Sequence, residues 1–166
     1  MNTQPSITLR ATPADADPCT TLLDLRVLPA QRAWVGMIAD ALADLARCPD
    51  SVSMTILRDD IVVGHYRIDP HPRSVAGHDF AVPTLGLRAF FIDARWQGQG
   101  LGRAALRAML QDLPVRYPAA RQLVLNVNTD NRVALRLYLG AGFADSGELY
   151  DGGHPGAQQL LLRPLP

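Results

Sequence analysis

The sequence predicts one mixed α/β domain spanning residues 1–166. Short runs rich in β-branched residues alternate with segments whose apolar residues recur at spacings of three and four, the signatures of strands and amphipathic helices. With 166 residues, of which 48% are hydrophobic, the chain is long enough to bury one substantial core. Neither a repeat nor a linker interrupts it. The expected order is β-α-α-β-β-β-α-β-α-β-β.

The first half of the chain contains the predicted N-terminal strand, two helices and a hairpin. In chain order these are a strand at 6–10, helices at 15–28 and 34–45, and strands at 51–58 and 61–68. Pro29 ends the first helix, and the dipeptide Asp59-Asp60 forms the hairpin turn. Residues 69–84 are rich in Pro, Gly and His, which predicts a loop long enough to take part in binding.

The second half alternates more regularly between strand and helix. Its predicted segments are a strand at 85–93, a helix beginning at Gly102, a strand at 123–127, a helix at 131–141, and strands at 147–150 and 158–162. Pro114 is expected to stop the first of these helices, because proline lacks the N–H that continues a helix. Gly142 is well placed as the C-terminal cap of the second.

Composition excludes several classes of function. Sixteen basic residues, all arginine, balance sixteen acidic ones, so the chain lacks the basic surplus that nucleic acids and anionic membranes require of a partner. Two cysteines, Cys19 and Cys48, build no disulfide framework, and no His or Cys spacing predicts a metal site. A reduced cytoplasmic setting fits, since neither a signal peptide nor a membrane-spanning run is present.

Three glycines lie between a predicted buried strand and a helix start, at positions 98, 100 and 102 in FFIDARWQGQGLGRAALRAML. Glycine permits positive φ and lets a ligand approach the backbone, while the first amides of a helix are unpaired and face the positive end of its dipole. The turn therefore indicates a phosphate site, although a G-x-G also occurs in turns that are merely tight.

Two of the known phosphate-binding motifs are excluded because this chain lacks a glycine that both of them require. Arg103 stands where both the dinucleotide fingerprint G-x-G-x-x-G and the Walker loop require glycine, and the chain has no lysine. The pattern Q/R-x-x-G-x-G is satisfied by Gln97, Gly100 and Gly102. This stretch resembles the pyrophosphate loop of the GNAT superfamily of acyl-CoA N-acyltransferases.

A second segment, NTDNRVALRLYLGAGF, strengthens the resemblance. In GNAT proteins the helix after the fifth strand commonly carries Asn-x-x-Ala, a Tyr four residues later, and then Gly-Phe. The matching residues are Asn131, Ala134, Tyr138, Gly142 and Phe143. Because Ala134 and Tyr138 are four apart, they share a helix face, which leaves room beside the phenol. A core tyrosine with a bonded hydroxyl is the alternative for Tyr138.

The resemblance implies a GNAT-like fold, a mostly antiparallel sheet of 6–7 strands with about four flanking helices and with strands 4 and 5 splayed around the coenzyme. Acetyl-CoA is the implied cosubstrate, with no metal. Its pantetheine arm would pair with the backbone of the fourth strand, and its diphosphate would rest on the glycine turn. The implied coenzyme-binding residues are Phe90, Phe91, Ile92, Gln97, Gly98, Gln99, Gly100, Leu101, Gly102, Arg103, Asn131 and Ala134.

The implied chemistry is direct attack of an amine on the thioester. Tyr138 is the candidate general acid for the leaving thiolate. Asn126 occupies the position at which many members carry a Glu base; since an amide takes no proton at neutral pH, Asn126 would orient a water or would be structural. Glu148 is a weaker candidate for the base, and a solvated strand residue is its alternative. A non-catalytic module that binds acyl-CoA is the second reading of the whole chain.

The acceptor is expected to be a primary amine of a small molecule or peptide. The stretch FFIDARWQGQGLG is similar to the polyamine-acetylating branch, whose members often carry Asp where this chain has Arg88. Arg88 would favour a carboxylate or phosphate, unless it faces outward or pairs with an Asp. Further candidates for the wall of the acceptor pocket are Trp34, Gln31, His65 and the loop at 69–84, with a core role as the alternative for Trp34. Family members are often homodimers, and the sequence leaves this open.

Overall fold

The computed structural model describes residues 6–12, 23–31, 48–150 and 156–166. Seven strands form one sheet in the order β1-β2-β3-β4-β5-β7-β6. Their bounds are Ile7–Ala11 (β1), Val52–Arg58 (β2), Ile61–Asp69 (β3), Thr84–Ile92 (β4), Gln122–Asn128 (β5), Ala144–Tyr150 (β6) and Gln158–Pro164 (β7). The β1–β2, β5–β7 and β6–β7 pairs are antiparallel, whereas β4 and β5 run parallel. The expected mixed fold with a mostly antiparallel sheet is confirmed.

The predicted hairpin is present as β2 and β3, which are neighbours in the sheet. Its two turn residues, Asp59 and Asp60, have φ of 49° and 66°. Positive φ at both central residues is the geometry of a two-residue turn that matches the twist of its strands, and Asp tolerates it better than most residues. The dipeptide therefore sets the register of this hairpin.

The parallel ladder between β4 and β5 is short. It joins only residues 84–86 of β4 to residues 122–124 of β5, although β4 has nine residues and all seven residues of β5 pair with β7. Beyond the ladder, Ala89 in β4 has φ of 51°, a left-handed conformation that is strained for a residue with a Cβ. A left-handed residue inside a strand interrupts the regular pleat, although β4 continues to Ile92.

Three α-helices lie wholly within the described residues, namely Arg73–Ala76 (α1), Leu101–Arg116 (α2) and Arg132–Gly140 (α3). The helix predicted at 34–45 and most of the one at 15–28 fall outside those residues. Of the part of the latter that is described, residues 25–28 are irregular and Pro29–Gln31 forms a 3₁₀ turn.

Two predictions about helices were wrong. The segment at 69–84 is not a plain loop, because α1 forms one helical turn within it and Gly77 ends that turn with φ of 79°. Pro114 does not stop α2, which continues to Arg116. In the last turn, proline removes a single backbone bond, and Tyr117 N–H still donates to the Leu113 carbonyl at 2.8 Å.

The chain divides into two compact units, one of residues 1–67 and 89–109 and one of residues 68–88 and 110–166. In the first, the buried face of α2 contributes Leu101, Leu106 and Met109. In the second, Val75 and Ala76 of α1 join Val124 and Leu160 in one apolar cluster. No helix within the described ranges is long and apolar enough to cross a membrane.

Candidate active site

The glycine turn adopts the backbone that its sequence requires. Gly98 and Gly100 have φ of 76° and 77°, and a Cβ built at either would meet nothing within 4 Å. Glycine is therefore needed here for conformation and for open space above the backbone, and not because the protein itself crowds the site.

Helix α2 begins directly after this turn. Its first bond runs from Ala104 N–H to the Gly100 carbonyl at 3.1 Å, so the N–H groups of residues 101–103 precede the helical ladder. The first turn carries no acidic residue, and Arg103 is exposed on it. Free amides, the positive end of the helix dipole and a nearby guanidinium together favour an anion. The residues present therefore fit a diphosphate.

The side chain of Gln97, just before the glycine turn, forms hydrogen bonds to two neighbouring segments. Its Nε2 donates to the Ile92 carbonyl at 2.8 Å and to Gln31 Oε1 at 3.0 Å, and its Oε1 accepts from Gln31 Nε2 at 3.3 Å. The turn is thus tied both to the end of β4 and to the 3₁₀ turn at residues 29–31.

Arg58 supports the turn from the end of β2. Its guanidinium carbon lies 5.4 Å from the centroid of the Trp96 ring, and Nη1 donates to Gln99 Oε1 at 2.9 Å. A cation over an indole face combines electrostatic attraction with packing. Trp96 and Gln99 are thereby positioned without either one being buried.

Asp93, immediately after β4, is a buried carboxylate with several donors. It accepts from the N–H groups of Arg26 and Arg95 at 2.8 Å, and from the Arg95 guanidinium at 2.8 and 2.9 Å. Burial alone would raise the pKa of Asp93, but the hydrogen bonds from Arg95 and Arg26 outweigh it and hold that pKa below its ordinary value. Asp93 stays ionised and anchors the segment that leads into the glycine turn.

The predicted pantetheine strand packs its aromatic side chains. The Phe91 ring lies 6.1 Å from His65 and contacts Leu25, and the Phe90 ring lies 6.3 Å from Tyr66. Phe91 and Ile92 are buried, and Phe90 is half-buried. The side chains of Phe91 and Ile92 are therefore committed to packing, and coenzyme binding by the main chain of this strand stays a prediction.

His65 is an interior histidine. It is 1% exposed, and its Nε2 lies 2.6 Å from the Ser53 hydroxyl. Burial, together with the positive charge of Arg67, lowers the pKa of His65 to about 4, so the ring is neutral at physiological pH. The structure places the His65 side chain in the interior, on β3 and close to Phe91 of the neighbouring β4, and its role toward an acceptor stays a prediction.

Of the other acceptor candidates, Trp34 lies outside the described residues. Arg88 Nη1 lies 3.8 Å from Asp69 Oδ2, so the expected alternative, a pair with a nearby Asp, is present. Asp69 also accepts from the N–H of His71 and the hydroxyl of Ser74, and it thereby organises the start of the loop that carries α1. Arg88 keeps 29% of its side chain exposed.

Tyr138 lies on α3 and is buried, with 7% exposure. The helix ends two residues later, at Gly140, in a Schellman motif. In it, Phe143 N–H donates to the Tyr138 carbonyl at 3.1 Å and Gly142 N–H to the Leu139 carbonyl at 3.2 Å, with Gly142 at φ of 90°. Burial raises the pKa of the Tyr138 phenol well above its ordinary value, so the group is protonated at neutral pH.

The other two motif residues of α3 shape its start. Asn131 is the N-cap, and its Oδ1 accepts from the N–H of Ala134 at 3.3 Å. This satisfies one of the amides that a helix leaves unpaired at its first turn. Ala134 is half-buried one turn before Tyr138. Both residues therefore have a local structural role, and coenzyme contact is an additional prediction.

The two candidates for proton transfer from the amine each bond another group. Asn126 Nδ2 donates to the Val75 carbonyl of α1 at 2.8 Å, so the expected structural alternative for this amide is present. Glu148 lies 2.8 Å from His78 Nε2, and both side chains are exposed. The Asp79 carbonyl and Glu148 raise the pKa of His78. Within the described ranges, no group of three His, Cys, Asp or Glu is arranged to hold a metal ion.

With this geometry established, comparison with known proteins decides the family. The model of the Acetyltransferase (GNAT) family matches residues 22–143, well over half of the chain. The chain belongs to the GNAT acetyltransferase family. The predicted enzyme class, an N-acetyltransferase, is confirmed with it.

Curated relatives of this GNAT chain agree with the branch that its central motif resembles. It is 31% identical over 128 residues to the spermine/spermidine N(1)-acetyltransferase of Bacillus subtilis (strain 168), which covers 77% of this chain and 82% of the relative. It is 26% identical over 131 residues to the uncharacterized N-acetyltransferase YbbJ of the same strain, covering 79% of this chain and 81% of the relative.

Solved structures share the fold of the GNAT chain. AAC(6')-Ib in complex with Parmomycin and AcetylCoA superposes with a TM-score of 0.75 at 20% identity, covering 96% of this chain and 93% of that one. A GNAT family acetyltransferase from Elizabethkingia anophelis with acetyl-CoA bound superposes with a TM-score of 0.64 at 17% identity, covering 96% and 98%.

Sequence reasoning did not link three residues to the glycine turn of this GNAT chain, and Gln31 is predicted above only as part of the acceptor-pocket wall. Asp93 had a usable signal, since it directly follows a buried strand and precedes the motif. Gln31 and Arg58 had none, because they lie 66 and 41 positions from the glutamines that they contact. The glycine turn and Phe90–Ile92 belong to the first unit, and Asn126, Asn131, Ala134 and Tyr138 to the second.

Proposed function

We propose that this GNAT chain transfers the acetyl group of acetyl-CoA directly to a primary amine of a small molecule or peptide, with both reactants bound at once. The glycine turn carries the proposal, because its positive-φ backbone leads into unpaired N–H groups at the start of α2. Support comes from a relative named for spermine and spermidine acetylation and from solved relatives that hold acetyl-CoA.

The coenzyme's diphosphate would rest on the N–H groups of residues 98–103. Arg103 would add a charge-assisted bond to a phosphate oxygen. The backbone of Phe90–Ile92 would bind the pantetheine amides in the manner of an added strand. Such a site holds the thioester in one place, and placing two reactants together removes much of the barrier to their reaction.

The reaction requires two proton movements. The amine must arrive without its extra proton, since an ammonium has no lone pair. Its nitrogen forms a C–N bond to the acetyl carbon, a backbone N–H stabilises the transient oxyanion, and the C–S bond breaks. The amine then loses a proton and the thiolate gains one.

We assign the proton for the thiolate to Tyr138. Its raised pKa keeps the phenol protonated at neutral pH, so that a proton is present on this group when the thiolate forms. The Asn126 amide cannot act as a base. Its Nδ2 donates to the Val75 carbonyl, and its Oδ1 would orient a water that accepts the amine proton. A water relay, or an amine that enters neutral, therefore fits this chain better than a carboxylate base.

Arg88 bears on the choice of acceptor. If Arg88 lines the acceptor pocket, its charge favours a molecule that carries a carboxylate or phosphate beside the amine. The carboxylate of Asp69, 3.8 Å from Arg88 Nη1, partly neutralises that charge and weakens the preference. A panel of amines that includes spermidine, amino acids, an aminoglycoside and a peptide separates these acceptor classes.

The test is turnover of acetyl-CoA, read as released thiol, against that panel. Tyr138→Phe removes only the hydroxyl, and we expect kcat to fall about 100-fold or more while CoA affinity stays within twofold. Tyr117→Phe is the matched control and should leave both unchanged. An unchanged kcat in Tyr138→Phe would remove Tyr138 as the acid. CoA binding without turnover on any amine would favour the non-catalytic module.

A further inference from the structure

Residues 24–31 lie along the end of β4 and the start of the glycine turn. Arg26 N–H donates to Asp93 Oδ2, and Ala94 N–H donates back to the Arg26 carbonyl, both at 2.8 Å. Leu25 packs against Phe91 in one apolar cluster that Val27 joins. The segment is thus attached to residues 91–94 by its main chain and by its side chains.

The last attachment is the pair of Gln31 and Gln97. Gln97 Nε2 carries two hydrogens, and these donate to the Ile92 carbonyl at 2.8 Å and to Gln31 Oε1 at 3.0 Å. Both donors of the Gln97 amide are therefore used within the protein. An amide whose donors are used in this way offers an anion only its oxygen, which repels phosphate.

We propose that Gln97 is a positioning residue, which sets the conformation of residues 98–103 through Gln31 and does not touch the diphosphate. The affinity for CoA then depends on Gln31, a residue 66 positions earlier in the chain. The inference rests on the proposed function, because it concerns the same coenzyme turn. It assigns to residues 29–31 a part in coenzyme binding that their sequence does not signal.

A double-mutant cycle with CoA as the titrant tests this role. Gln31→Leu and Gln97→Leu should each weaken CoA binding about 3- to 10-fold, the range expected for one or two lost hydrogen bonds. The double variant should be no weaker than the poorer single variant, since both changes remove one shared interaction. In turnover assays KM for acetyl-CoA should rise while kcat is kept. Gln111→Leu, an exposed amide on α2, is the matched control.

A second pair of variants tests positioning by rescue. Gln31→Glu loses a donor and should weaken CoA binding in the wild-type background. In the Gln97→Arg background the same change forms an ion pair and should leave CoA affinity within twofold of that of Gln97→Arg alone, a reference that already contains the added cation. Thermal unfolding of each variant verifies that it folds.

Two results would overturn the inference while the proposed function stands. One is a Gln97→Leu variant that loses affinity while Gln31→Leu binds CoA like the wild type, as a direct coenzyme contact of Gln97 requires. The other is a double variant whose loss of CoA affinity equals the product of the two single-variant losses, since that would show that the two residues act independently. A wild-type protein that binds no CoA would overturn the proposed function as well.

Discussion

The ring of Tyr138 packs edge-on against the ring of Phe143, with the two centroids 5.6 Å apart. The same two residues are joined by the outer hydrogen bond of the Schellman motif that ends α3, from Phe143 N–H to the Tyr138 carbonyl. A hydrophobic contact between these two positions commonly accompanies that motif. The Gly-Phe pair of the sequence motif thus orients the tyrosine four and five residues before it.

Gly142→Ala should destabilise the protein, because φ of 90° is strained for any residue with a Cβ. We expect a loss of about 1–2 kcal/mol in the free energy of unfolding, measured by urea denaturation. Gly140→Ala is the control. Gly140 lies in α3 with open space around it, so alanine should stabilise it by up to about 1 kcal/mol. If both variants gained stability, the Schellman geometry would be wrong.

His65 should make the protein sensitive to mild acid. Its pKa falls from 6.5 in the unfolded chain to about 4 in the fold, so between these pH values the unfolded chain binds more protons. The contribution of His65 to the free energy of unfolding is fully present above pH 6.5, and it declines by about 3 kcal/mol as the pH falls to 4. Urea denaturation at a series of pH values measures this slope.

Substitution of each histidine shows which one causes this pH dependence of stability. His65→Gln should flatten the pH dependence between 4 and 6.5, whereas His78→Gln should not, because the pKa of His78 is raised and its contribution is lost toward high pH instead. Equal slopes for the wild type and His65→Gln would show that the ring is not buried in its neutral form.

Asp93→Asn should weaken both the fold and the coenzyme site. The amide keeps the shape of the carboxylate but places N–H groups against the donors of Arg26 or Arg95. We expect a cost of about 1–3 kcal/mol in unfolding free energy. Asp112→Asn, which breaks the helix-surface pair with Arg116, should cost at most about 0.5 kcal/mol. Similar losses in the two variants would contradict the role of Asp93 as an anchor.

Local patterns were sufficient to predict the strands and the two longer helices of the described residues. The hairpin turn at Asp59-Asp60, the glycine turn before α2 and the Asn131 cap of α3 are all recognisable within a few residues of sequence. The glycine motif also identified the family, because it needs particular residues at fixed spacing.

Tertiary contacts account for what the sequence did not reveal. Helix α1 forms among residues that favour a loop, and it is held by packing; a Cβ at Gly86 would come within 2.6 Å of the Val75 side chain, and Asn126 bonds the Val75 carbonyl. The pair of Gln31 and Gln97 joins distant positions, and no periodicity in either segment marks it. Such contacts depend on the folded chain, and their partners have no local signal.

The central claim is that the main chain of residues 98–103 binds the coenzyme's diphosphate, and calorimetric titration of CoA into two glycine variants tests it most directly. Gly100 and Gly147 have φ of 77° and 81° with nothing within 4 Å of a built Cβ, so alanine strains both equally. We predict that Gly100→Ala weakens CoA binding about tenfold or more, through loss of charge-assisted bonds, while Gly147→Ala stays within twofold of the wild type. Equal CoA affinity in the wild type and both variants would contradict the claim.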